Sequence, residues 1–297
     1  MPPAIAPRID AHLHLWQVAR GDYGWLTADL PIYRDYGLDD ARQVTGGVDG
    51  VILVQAAPSE AETRYPLDIA HRSDGFVRGV IGWTDLAAPD APARILTLSH
   101  DRLLRGLRPM LQDIGDPDWI LRPDVARGLD AMAAAGLSLD LLIRPIHLPR
   151  CITLAARHPG LAMVIDHGGK PDIASGDLSR WSAMMALIAA QTDIACKFSG
   201  LLTELGPNGI SSDAAPYMQV LIDHFGADRL MWGSDWPVLN LASTYQDWFV
   251  LASEFVRTAM PSAEPAIFGR NAERFYRLPS VDPRSGRRHP APALCRR

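Results

Sequence analysis

Along the chain, short β-rich apolar runs alternate with longer stretches in which apolar residues recur at helical spacing. The runs fall at 7–15, 48–57, 76–86, 104–111, 137–143, 161–168, 193–200 and 229–237. The stretches between them include 124–135, 148–157, 178–191, 214–225 and 245–259, each long enough for a crossover between parallel strands. Eight strands alternating with helices predict an α/β fold with a parallel sheet. The first and last runs both end in ionisable residues, and closing the sheet brings them together. The expectation is a single-domain (β/α)8 barrel of the TIM type over residues 1–278, whose strand ends converge on one face. A last helix at 263–276 would pack outside the barrel, and the aromatic, turn-rich segment 20–42 would partly cover the mouth.

The 297 residues exceed an average domain but suit one barrel. With 47% hydrophobic and 21% charged residues, the composition is that of a globular protein, and no apolar run reaches the roughly 20 residues of a membrane span. The N-terminus meets the first strand within ten residues, so a cytoplasmic protein without a signal peptide is expected. A formal charge of −5 offers no field for nucleic acid or an anionic membrane. The 3 cysteines, Cys151, Cys196 and Cys295, have no paired spacing and fit neither a disulfide framework nor a cysteine zinc site. From 279 to 297 the chain turns to Pro, Arg and small residues, the composition of a disordered tail.

The candidate chemistry lies at the strand ends. Asp10, His12 and His14 occupy alternate positions of the first run, which a strand's two-residue period points to one side. The sixth run ends in His167, followed by Gly168 and Gly169, which allow a tight turn at the rim. The eighth ends in Asp235, between Trp232 and Trp236, where desolvation would raise its pKa and suit it to general acid/base work. Three histidines and a carboxylate match a mononuclear zinc or manganese centre with an open water position. The same four could also work without metal, the imidazoles stabilising an oxyanion while the aspartate takes a proton from water. Lys197, Arg108 and Arg144 are cations at predicted strand ends that would grip a polar or acidic substrate. Trp83 would wall a sugar-sized pocket, with Trp236 and His147 as further substrate-binding positions.

Asp10-Ala11-His12-Leu13-His14-Leu15-Trp16, Gly82-Trp83-Thr84-Asp85-Leu86, Asp166-His167-Gly168-Gly169-Lys170-Pro171, Lys197-Phe198-Ser199-Gly200, Gly233-Ser234-Asp235-Trp236-Pro237 and Asn271-Ala272-Glu273-Arg274-Phe275-Tyr276 together resemble the amidohydrolase superfamily, in order from about Arg8 to Leu278. The similarity is to its sugar lactonase branch, which includes L-fuconolactonase, L-rhamnonolactonase and pyrone dicarboxylate lactonase. The resemblance implies hydrolysis of a lactone in carbohydrate or aromatic-acid breakdown, with catalytic and ligand positions at His12, His14, His167 and Asp235. It implies at most one divalent ion, zinc first, because Arg108, Asp140 and Arg144 stand where two-metal relatives place further ligands; metal-free relatives leave both routes open. The expected partner is a small lactone, and the protein a monomer or homodimer. Two other readings stay open: a metal-dependent decarboxylase or lactone isomerase, and a binding protein without catalysis on the same scaffold.

Overall fold

The computed structural model describes residues 6–279, so the expected tail lies outside the described residues apart from Pro279. Each predicted run contains a strand: β1 (Ile9–Leu13), β2 (Gly50–Val54), β3 (Val77–Gly82), β4 (Leu104–Leu107), β5 (Ser138–Leu141), β6 (Met163–Ile165), β7 (Ala195–Phe198) and β8 (Leu230–Trp232). They pair in parallel in chain order. Between β8 and β1 the circle closes just beyond β8, where His14 N–H donates to the Trp236 carbonyl and Asp235 N–H to the His12 carbonyl, each at 2.8 Å. The chain is a single-domain (β/α)8 barrel.

The helices are α1 (Leu38–Val44), α2 (Glu60–His71), α3 (Ala91–Ser99), α4 (Pro123–Ala134), α5 (Leu148–Arg157), α6 (Ser179–Gln191), α7 (Ala215–Arg229), α8 (Tyr245–Ala259) and α9 (Asn271–Phe275). None among the described residues is long and apolar enough to cross a membrane. Side-chain alternation on the strands produces two apolar layers. Val51 and Leu53 of β2 join the large cluster under the helices, whereas Ile52 and Val54 join a smaller inner one with Ile81, Val164 and Met231. Tyr276 completes this inner cluster, because the C-terminal segment folds back under the barrel. The same alternation turns Arg108, Asp140, Asp166 and Lys197 inward, above that apolar floor.

One expected element differs. The helix anticipated at 263–276 is present over 264–275 but widens into a π-type turn, Ala266–Arg270, before continuing as α9. Asn271 Nδ2 donates to the carbonyls of Ala227 and Leu230, both at 2.6 Å, and ties this junction to the entry of β8. That tertiary demand outweighs the helical pattern.

Candidate active site

His12 and His14 do meet: their Nε2 atoms are 3.2 Å apart and both side chains are buried. Asp10 does not join them. The ladder between β1 and β2 shifts register between Asp10 and Leu13, so the simple two-residue alternation fails there. Asp10 instead accepts the Ser234 and His12 N–H groups and faces Tyr245 of α8; burial pushes its carboxyl up to about 6.

At the end of β6 the backbone enters a left-handed run through His167, Gly168, Gly169 and Lys170, with φ of 54°, 59°, 73° and 51°. Two glycines make this cheap, but His167 and Lys170 adopt it despite a Cβ. Asp235 is likewise left-handed, with φ 59°. Such conformations cost on the order of 1 kcal/mol or more each and collect where geometry serves function. Here the turns aim both side chains inward. Asp235 Oδ1 lies 3.2 Å from His14 Nε2, 3.7 Å from His12 Nε2 and 3.9 Å from His167 Nε2.

Beneath this centre lies a buried ionic lattice. The Lys197 ammonium sits 2.6 Å from Asp140 Oδ2, 3.0 Å from Asp166 Oδ1 and 3.0 Å from His12 Nδ1. Arg108 Nη1 is 3.3 Å from Asp166 Oδ2 and 3.4 Å from His12 Nε2, while Nη2 donates to the Gln55 carbonyl. Tyr276 and Ser138 hydroxyls also donate to Asp140, at 2.8 and 3.2 Å. Lys197 is wholly inaccessible and Arg108 3% exposed. The sequence reading of three uncompensated cations awaiting a substrate is therefore corrected for these two: inward carboxylates of β5 and the end of β6 neutralise them. Arg144 alone of the trio is exposed and has no ion-pair partner among the described residues.

A second correction concerns Asp235. Burial does act to raise its pKa, but the imidazoles of His167, His14 and His12 outweigh it and hold the carboxyl well below the usual range, so it is an ionised acceptor throughout the working pH. His167 is pushed by burial down to about 4, and His12 well below its ordinary value by burial and by Lys197. Both imidazoles are neutral near pH 7. Asp166 is held low against the pull of burial by Lys197, His12 and Arg108.

The centre suits a divalent cation. His14 Nδ1 faces the Val54 carbonyl at 2.7 Å and must carry a proton; in the neutral ring this leaves a lone pair on Nε2 aimed at Asp235 Oδ1, itself an acceptor. Two acceptors 3.2 Å apart need a cation or a proton between them. The separations of 3.2, 3.2 and 3.7 Å among His12, His14 and Asp235 resemble the edge of about 3.3 Å expected for tetrahedral zinc with bonds near 2.05 Å. A second combination, His12 with Asp166 and His167, shares His12 and so competes with the first.

The segment after β1 folds against the rim of the mouth. The Trp25 indole donates to the Ala56 carbonyl, Trp16 and Tyr36 pack edge-on, and Tyr36 meets Trp236 at 5.0 Å between ring centres. Its anchor is Glu62 of α2, a residue that nothing in the periodicity singles out. Glu62 accepts from Ala56 N–H at 3.0 Å and Tyr23 O–H at 2.8 Å, with Arg20 at 3.4 Å. Burial pushes its carboxyl from 4.5 to about 7. Between those values the folded state holds a proton the unfolded chain has released, so stability falls as pH rises through this window, by about 3 kcal/mol in all. Glu62→Gln should flatten this fall. Thermal melts of parent and variant from pH 5 to 8 test it; parallel profiles would show that Glu62 does not titrate there.

The remaining predicted residues sit at the rim. Trp83 is half-buried at the end of β3, its backbone clasped by Thr63 Oγ1. His147 is buried, its Nδ1 accepting from Arg144 N–H at 3.1 Å; Trp236 is 3% exposed and packs rather than protrudes. A separate cleft of about 650 Å³ opens between the loops after β6 and β7, but none of the four central residues lines it.

The family described as Amidohydrolase matches residues 9–278. An L-fucono-1,5-lactonase of Burkholderia ambifaria is 44% identical over 289 residues, covering 95% of this chain and 98% of that protein. An L-fucono-1,5-lactonase of Burkholderia multivorans is 35% identical, covering 92% and 97%. The crystal structure of an amidohydrolase from Burkholderia multivorans with bound zinc superposes with a TM-score of 0.85 at 34% identity, over 92% of this chain and all of that one.

Proposed function

The chain belongs to the amidohydrolase family, and on that premise we propose that it is a lactonase that opens a sugar lactone by attack of water on the ring carbonyl. The observation that carries this reading is the convergence of Asp235 Oδ1 with the Nε2 atoms of three histidines at the strand-end face. It is supported by the lactonase names of the relatives at 44% and 35% identity. Asp235, ionised, takes the proton of the attacking water. His167 Nδ1 lies 3.0 Å from Ser199 Oγ; when it accepts that hydroxyl proton, its own Nε2–H donates to the oxyanion that forms on the carbonyl. Asp235 then returns its proton to the ring oxygen as the bond breaks. His12, His14 and Asp235 would hold one divalent ion, zinc first, which when bound would supply Lewis-acid polarisation of the carbonyl. The protein we place in the cytoplasm, as one domain ending near residue 278. A panel of acidic and neutral sugar lactones, followed by proton release, tests the activity. Release of carbon dioxide, or rearrangement with the ring still closed, would replace hydrolysis with decarboxylation or isomerisation.

Two further outcomes follow from the same geometry. Metal content should not exceed one equivalent per chain by elemental analysis, because Asp140 and Asp166 are already committed to Lys197 and Arg108. Two tightly held equivalents would contradict that commitment. Arg144→Met should raise KM for a polar lactone roughly tenfold with little change in kcat, the scale of one charge-assisted hydrogen bond used in uniform binding. Unchanged KM would leave Arg144 a solvated rim residue.

A further inference from the structure

The sequence pattern treats Lys197 as a substrate-binding group, yet its ammonium is wholly buried and touches only carboxylates and a histidine. Its position sets the form of that histidine. An ammonium has donors and no acceptor, so at 3.0 Å from His12 Nδ1 it must donate to it, and the imidazole proton then sits on Nε2. The competing acceptor on that side, Asp166 Oδ1, is farther away at 3.5 Å. On the other side, His12 Nε2 lies 3.2 Å from His14 Nε2 and 3.7 Å from Asp235 Oδ1, an acceptor. Arg108 Nη1 at 3.4 Å is the one opposing donor, and it has Asp166 at 3.3 Å and Gln55 as other partners.

We propose that Lys197 is a positioning residue that acts through His12: its hydrogen bond fixes the Nε2–H form of the ring and opposes ligation of a divalent cation by His12. The proposal rests on the lactonase reading only for its role in turnover. For His12 Nε2 to offer a lone pair to a metal, its proton must move to Nδ1 and face Asp166 Oδ1, the carboxylate–imidazole arrangement that metal-binding histidines use. Lys197 occupies that side. The site thus holds the acceptors for either a proton or a cation, and Lys197 favours the proton.

Lys197→Met alone would leave Asp140 buried without its cation, so the variant to use is Lys197→Met combined with Asp140→Asn, which removes one charge of each sign. Two measurements apply, neither involving turnover. In the parent, ¹⁵N–¹H correlation of the imidazoles should show His12 protonated at Nε2 and bare at Nδ1; in the double variant the proton should move toward Nδ1. Zinc affinity, by competition with a chromophoric chelator, should be ~10-fold or more tighter in the double variant than in the parent, the scale on which outer partners of a ligating imidazole act. Asp140→Asn alone should not bind zinc more tightly. Equal affinities, or His12 carrying Nδ1–H in the parent, would overturn the proposal while leaving the lactonase reading standing. Loss of lactone hydrolysis in the parent would do the reverse.

Discussion

Asp235→Asn is expected to lower kcat by ~10²-fold or more, the scale on which loss of a general base is felt. The amide is nearly isosteric, and the features that place the residue are backbone ones: Asp235 N–H donates to the His12 carbonyl and the left-handed φ of 59° is one asparagine tolerates. The fold should therefore survive, and KM should change far less than kcat. What disappears is the proton acceptor. In the parent the neutral imidazoles of His12 and His167 flank an ionised carboxylate, and an amide cannot take the water proton in its stead. Steady-state kinetics on the best sugar lactone, alongside a thermal melt, separate the two effects. A kcat within a few-fold of the parent would remove Asp235 from the proton-transfer role and shift attention to the histidines.

Much of this site is legible in the chain because strand ends announce themselves. His167 and Asp235 each close an apolar run and precede turn residues, and a barrel can only gather such ends on one face. The partners of the cations are harder to read. Asp140 lies in the middle of Ser138–Leu141, where the sequence offers an acidic residue inside a strand and nothing to say that β7 will set Lys197 2.6 Å away. A buried ion pair is a relation between two distant strands, and single-sequence periodicity carries no information about it. The Asp10 reading failed for a different reason: one irregularity of register, invisible in the pattern, transfers a side chain from one face to the other. Glu62 is hidden similarly, since a glutamate in the first turn of a helix capped by Ser59 reads as a capping residue until the segment after β1 folds onto it.

Gly200→Ala is expected to lower kcat by about 10²-fold as well, through geometry alone. Gly200 follows Ser199 just beyond β7, with φ at +61°, and a methyl there would stand 2.5 Å from Cγ and 2.8 Å from Cβ of His167. Neither neighbour can yield easily. The His167 ring is 3% exposed, its Nδ1 is held at Ser199 Oγ, and its backbone is already in a left-handed turn whose glycines pack against Leu148 and Leu221. The strain of alanine at positive φ costs about 1 kcal/mol and the overlap with His167 about 1–3 kcal/mol more, a melting shift of several degrees for a protein of this size. The ring displacement matters more, because Nε2 must reach the place where the oxyanion forms. A melt lowered by several degrees together with a kcat collapse would locate the effect in the position of His167. If kcat instead stays within a few-fold of the parent, the imbalance between backbone and ring has been relieved elsewhere, and His167 does not need this position for the reaction.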